Sequence, residues 1–254
     1  MLFFLRKIRR NLMGDLSTDK TGSKVKSYLL YAIGEIILVI VGILVAIQID
    51  GLNEARKERD REIHYLSNIK QDLVNNIAHM EAFLTQRKAC IISAQNVVAH
   101  LEGKPIDDWY AFNEDCIRIY DWRRFYQINY TFEELMYSGN LTIISNDSIK
   151  SLLLNLESLY KQTKAEEDHF RFDSEEIIYK PIYSIMDLHP TLKMHIGQDV
   201  ELSRENYGTF FVDTRVKNGF LMAILELSKM NGQLEEMTQI TEDLLSIINR
   251  EIGE

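Results

Sequence analysis

Breakers and thiols are what this sequence has little of: three prolines, twelve glycines and two cysteines in 254 residues. Proline and glycine most often interrupt helices, so their scarcity leaves room for long ones. Cys90 and Cys116 are too few for a disulfide framework, and their separation is no metal-ligand spacing. In an oxidising compartment the two could still pair, and the sequence leaves that open. Also missing are His-Glu-x-x-His, Gly-x-Ser-x-Gly, a phosphate-binding glycine loop and Cys-x-x-Cys. No catalytic residue, cofactor or metal site is therefore predicted, and the chain is not expected to be an enzyme.

What is present is an uneven charge. The net charge is −9. Before Tyr28, Arg6, Lys7, Arg9, Arg10, Lys20, Lys24 and Lys26 face only Asp15 and Asp19, giving +5, while the part after residue 49 carries −13. A basic tail suits anionic lipid headgroups, and so acidic a body argues against nucleic acid as a partner. Arg6, Lys7, Arg9 and Arg10 lie among bulky apolar residues in residues 1–13, which reads as an interfacial helix on a membrane surface. The plainer reading of the same residues is a disordered basic tail.

Residues 28–49 form one apolar run whose sole ionisable interruption is Glu35. At 1.5 Å per residue the run spans a hydrocarbon core of about 30 Å. A cleaved signal peptide fits poorly, because the run is long and no small-x-small site follows it. The expectation is one retained transmembrane helix. The excess of flanking cations on the N-terminal side places that end in the cytoplasm of a bacterial inner membrane and the C-terminal domain in the periplasm.

Steps of alternating three and four residues pick out Tyr28, Tyr31, Glu35, Leu38, Gly42, Val45, Ile49 and Leu52, then continue through Ile63, Leu66, Leu73, Met80, Arg87 and Ala94 to Leu101. No proline falls between Tyr28 and Leu101. The span is thus predicted to continue as a charged helical stalk over 50–62 and then as the first helix of a bundle, ending near Gly103-Lys-Pro105. Such a repeat fits either a coiled coil between subunits or packing within one chain. In the span, Gly42 and Ala46 form a small-xxx-small pair, and Glu35 falls within about 20° of Gly42 on the helical wheel. Tyr31, Glu35, Leu38, Gly42 and Ala46 are therefore the candidate transmembrane interface. An isolated carboxylate in lipid must be protonated, paired or turned into an interface, so Glu35 also admits an ion- or proton-coupled role.

The remainder, residues 63–254, reads as an all-α, antiparallel extramembrane bundle. Aromatic residues crowd 109–137, as bundle core or as a ligand groove. Thr131-Phe-Glu-Glu134 matches a capping box, Gly139 a helix stop and Ser145-Asn-Asp-Ser148 a fresh N-cap. A third helix should run to about Tyr179, before Pro181. Residues 187–207 read as a connector, with short strands possible around Gly208-Thr-Phe-Phe-Val212. The last helix keeps Phe220, Ile224, Leu227, Leu234, Met237, Ile240, Leu244 and Ile248 on one face from about Thr214 to Glu251. Glu166 and His169 give a single Glu-x-x-His, where a di-iron bundle needs two. Glu166-Glu-Asp-His169 is read instead as a solvated charged face.

Residues 28–50 with their Gly34-Glu35 pair, then Asn53-Glu54, and the stretch 131–147 resemble an uncharacterised family of small single-span membrane proteins common in Bacteroidota. That resemblance implies a short basic N-terminus, this anchor and a helical domain of about this size. It carries no activity. The leading expectation is a membrane-anchored, oligomeric interaction or structural module whose partners are lipid and a second copy or another envelope protein. A sensor-type bundle signalling through a partner protein, and an ion-coupled component using Glu35, are the alternatives.

Overall fold

A computed structural model describes residues 21–253. Arg6, Lys7, Arg9, Arg10 and the interfacial helix expected around them lie outside these residues. The chain divides into two compact units, Met1–Asp60 and Arg61–Glu254. Helix α1 is assigned over Thr21–Leu101, so its residues contribute to both.

In the first unit, α1 is exposed on every side from Tyr31 to Asp60 but for the half-buried Arg59. Ile36, Ile37, Val39, Ile43, Leu44 and Ile47 leave half or more of their surface open. A helix that is apolar all round belongs inside other protein or inside lipid. Among the described residues this is the one helix long and apolar enough to cross a membrane, and it lies near the N-terminus.

The second unit is a helical bundle, with no strand among the described residues. Beyond α1 it contains α2 (Trp109–Ile117), α3 (Tyr130–Tyr137), α4 (Asp147–Asp173), a π-helical turn (Ser174–Tyr179), α5 (Lys180–Ile185), α6 (Leu188–His195) and α7 (Thr214–Ile252). The seam predicted from Ile63 onward is covered within the chain: Leu66, Leu73, Met80, Arg87, Ala94 and Val98 are buried.

Hydrogen bonds trace the path. After α2 the chain descends along α1, from Asn96 against Asp115, through Asn76 against Ile128, to Tyr65 against Glu134. Glu62 then accepts from both Ser145 N–H (2.6 Å) and Ser145 Oγ (2.7 Å) at the foot of α4. This return lets α4 run in the same direction as α1. Helix α7 runs antiparallel to α4, since Asn146 meets Glu251, Thr163 meets Met237 and Glu166 meets Lys229. Two apolar clusters form the core. One gathers Leu66, Leu73, Phe125, Leu153 and Leu234, and the other Cys90, Phe112, Phe170, Tyr207 and Phe220.

Local signals were honoured unevenly. Asn146 caps α4, accepting from Ser148 N–H (3.0 Å) and Ile149 N–H (3.3 Å), and Gly139 takes φ +71° just past α3. The capping box at Thr131–Glu134 does not form. Helix α3 starts at Tyr130, Thr131 N–H donates to Asp72 Oδ2 (3.2 Å), and Glu134 accepts from Tyr65 Oη (3.1 Å). Tertiary partners on α1 take the groups that a box would pair locally. No strand forms at Gly208–Val212 either. This segment turns so that Tyr207 and Phe210 are fully buried in an aromatic cluster with Trp109, Phe112 and Phe211. The expected connector includes α6, and the expected stop before Pro181 does not occur: helical structure passes from α4 through the π-helical turn into α5, with Pro181 directly after that turn.

Candidate functional site

The five residues expected at a transmembrane interface, Tyr31, Glu35, Leu38, Gly42 and Ala46, all lie exposed on α1 in the first unit. A Cβ added to Gly42 would meet nothing within 4 Å, so the small-residue face stands open. Seven residues separate Glu35 from Gly42, which places them on one side of the helix.

In the second unit the polar chemistry concentrates on α4. Glu167, expected on a solvated face, is instead fully buried, and this corrects the reading of Glu166–His169. Its Oε1 accepts from Arg87 and from Phe125 N–H (2.8 Å), while Oε2 accepts from Lys164 Nζ (3.1 Å). Arg87 is equally buried and also donates to the Arg123 carbonyl (3.1 Å). The pair lies between the two apolar clusters: Met80 and Leu159 belong to one, Cys90 and Phe170 to the other. Arg87 Nε and Nη1 are buried without a partner.

One turn further along α4, a second cluster faces α7. His169 Nε2 lies 3.7 Å from Asp173 Oδ2 and 3.9 Å from Glu226 Oε1. One nitrogen or oxygen from each of the three residues falls within 4.8 Å of the others. The i,i+4 spacing puts His169 and Asp173 on one face of α4, and Glu226 meets them from α7. The His169 side chain is 60% exposed and forms the mouth. Glu226 is 9% exposed, and its Oε2 is buried without a hydrogen-bond partner. Burial, then the charge and contact of Asp173, push the Glu226 carboxyl up to about 7; the neighbouring His169 opposes that rise. Such a carboxyl can take a proton or a cation.

The π-helical turn begins immediately after Asp173. A π turn widens the helix by one residue. Here it brings the Ile177 carbonyl to 2.8 Å from the position a Cβ on Gly219 would take, so α7 approaches at a glycine. Gly219 and Glu226 are seven residues apart on that same face.

Burial explains the remaining candidates. Cys90 and Cys116 are free, buried thiols, and desolvation pushes both upward. Motifs taken one at a time along the chain do not reveal Arg87–Glu167 or Glu226. One signal was present: Arg87 occupies a core position of the α1 seam, and Glu226 adjoins Leu227 on the buried side of α7.

These features define a helical protein with one helix suited to a membrane and a polar layer inside its bundle. The chain belongs to the DUF6090 family of unknown function, which it matches over residues 35–163, half of its length. The match takes in the middle segment 131–147 and the anchor from residue 35 onward, while residues 28–34 lie before it. No curated protein and no solved structure matches the chain.

Proposed function

We propose that this protein is a single-pass inner-membrane protein acting as an oligomeric interaction module, with its helical domain in the periplasm and no catalytic role of its own. The carrying observation is the unburied apolar surface of α1, on which Glu35, Gly42 and Ala46 share a side. Between copies, the glycine admits close backbone approach, and a paired or protonated Glu35 has a partner that lipid cannot offer. The cation excess before the span supports the assigned orientation.

Disulfide crosslinking in native membranes tests this reading. Gly42→Cys should give a crosslinked oligomer, and Ile40→Cys, about 200° away around the helix, should give little. A monomeric mass for the gently solubilised chain, with no copurifying partner and no Gly42→Cys crosslink, would overturn it. Orientation has its own readout: a cysteine at exposed His189 should react with a membrane-impermeant maleimide from the periplasmic side alone.

A further inference from the structure

We propose that His169, Asp173 and Glu226 form a divalent transition-metal site, in which one imidazole nitrogen and two carboxylate oxygens close on a single ion of the Zn2+ class. The inference concerns the second unit alone and stands independently of the membrane reading.

Three observations carry it. The donor set is right: imidazole nitrogen with carboxylate oxygen binds Zn2+ and its first-row neighbours, and two carboxylates balance the charge of a divalent ion. The distances are within reach as well. Bonds of about 2.0–2.1 Å in a tetrahedral shell place donors roughly 3.3 Å apart. His169 Nε2 lies 3.7 and 3.9 Å from the two carboxylates, and all three donor atoms fall within 4.8 Å of one another, so modest side-chain rotation closes the shell. The third observation points to the ligand itself. Glu226 is 9% exposed, its Oε1 faces His169, and its Oε2 is buried with no hydrogen-bonded N–H or ammonium group. This leaves two carboxyl groups, those of Glu226 and Asp173, side by side in a bundle interior where a cation would relieve their repulsion. Helices α4 and α7 hold the donors, while the exposed His169 leaves an entry path and room for a water or substrate ligand in the remaining position.

Lys229, three residues from Glu226 on α7, does not fill this role. Lys229 is bound to Glu166 at 2.7 Å, on the neighbouring turn. The site thus differs from the Arg87–Glu167 pair one turn away, where guanidinium and ammonium groups satisfy both carboxylate oxygens.

The test uses the full chain in detergent, stripped with chelator and titrated with Zn2+ alone by calorimetry. One Zn2+ per chain is expected. Glu226→Gln and Asp173→Asn should each weaken binding about tenfold or more, while His79→Gln, at an exposed histidine elsewhere on α1, should leave it unchanged. Circular dichroism of each variant separates lost binding from lost folding. X-ray absorption of the bound Zn2+ should show nitrogen and oxygen donors with one imidazole. Absence of saturable Zn2+ uptake, undiminished affinity in either carboxylate variant, or sulfur in the coordination shell would each overturn the proposal.

Discussion

Arg87 on α1 and Glu167 on α4 form an ion pair in which neither side chain retains any exposure to solvent. Eighty residues apart in sequence, they meet because the chain returns along α1 before starting α4 in the same direction. Two buried charges are favourable only together. The Glu167 carboxylate is saturated by Arg87, Lys164 and the Phe125 N–H, while Arg87 keeps two buried nitrogens without partners.

Removing both partners should therefore cost clearly less than the two single removals added together. Glu167→Gln is expected to destabilise the bundle by about 3–5 kcal/mol, because Arg87 then keeps only the Arg123 carbonyl for its buried charge, and Arg87→Met by less, because Lys164 and the Phe125 N–H still hold Glu167. The double variant Arg87→Met/Glu167→Leu should lose clearly less than the sum of the two. Denaturant unfolding of all four proteins checks this, and additive losses would show that the pair is not coupled.

Two glycines of α7 make opposite predictions. At Gly219 a Cβ would lie 2.8 Å from the Ile177 carbonyl, a backbone atom that cannot step aside. Gly219→Ala should cost about 1–3 kcal/mol. Gly232 is exposed, lies mid-helix and has open space around its Cβ position, so Gly232→Ala should stabilise by up to about 1 kcal/mol. Equal effects of the two substitutions would contradict the close approach of α7 to the π turn.

The thiols should be silent in the folded protein. Burial raises both Cys90 and Cys116, which removes thiolate at neutral pH and blocks access as well. A thiol-reactive chromogen should detect neither in the native chain and both after denaturation. Rapid native labelling of either would show that its cluster opens.

An acid-side signature is expected at Asp213, the N-cap of α7. Hydrogen bonds from the side chain and the backbone N–H of Arg215 hold its carboxyl below the ordinary 3.8. A depressed acid contributes its full stabilisation above the unfolded value. It loses that contribution as pH falls through the lower folded value. Unfolding measured from about pH 5 down to about pH 2 should therefore show a falling limb that Asp213→Asn flattens, since Asn keeps the cap without the charge. An unchanged slope in the variant would assign the acid limb to other carboxylates.

Much of the helical architecture was legible because it is periodic. The apolar run at residues 28–49, the α1 seam and the one-sided face of α7 are repeats that any helix of 3.6 residues per turn converts into a stripe. Asn146 and Gly139 acted through purely local chemistry, so their roles were readable too. Thr131–Glu134 carried an equally good local pattern and failed, because Asp72 and Tyr65 of α1 offered partners that no short window contains.

By itself, then, the sequence determined that the chain is helical, that one helix is apolar enough to enter a bilayer, and where α1 ends and α7 begins and ends. Burial of a stripe is a local demand that each segment states for itself. Only the tertiary structure decided which charged residues share the interior. Arg87 meets Glu167 because α4 runs in the same direction as α1, and Glu226 meets His169 and Asp173 because α7 runs antiparallel to α4 and sits close at Gly219. Such pairings depend on the direction and register of helices distant in sequence. A repeat along one helix fixes which side faces inward, but not which turn of another helix will lie opposite.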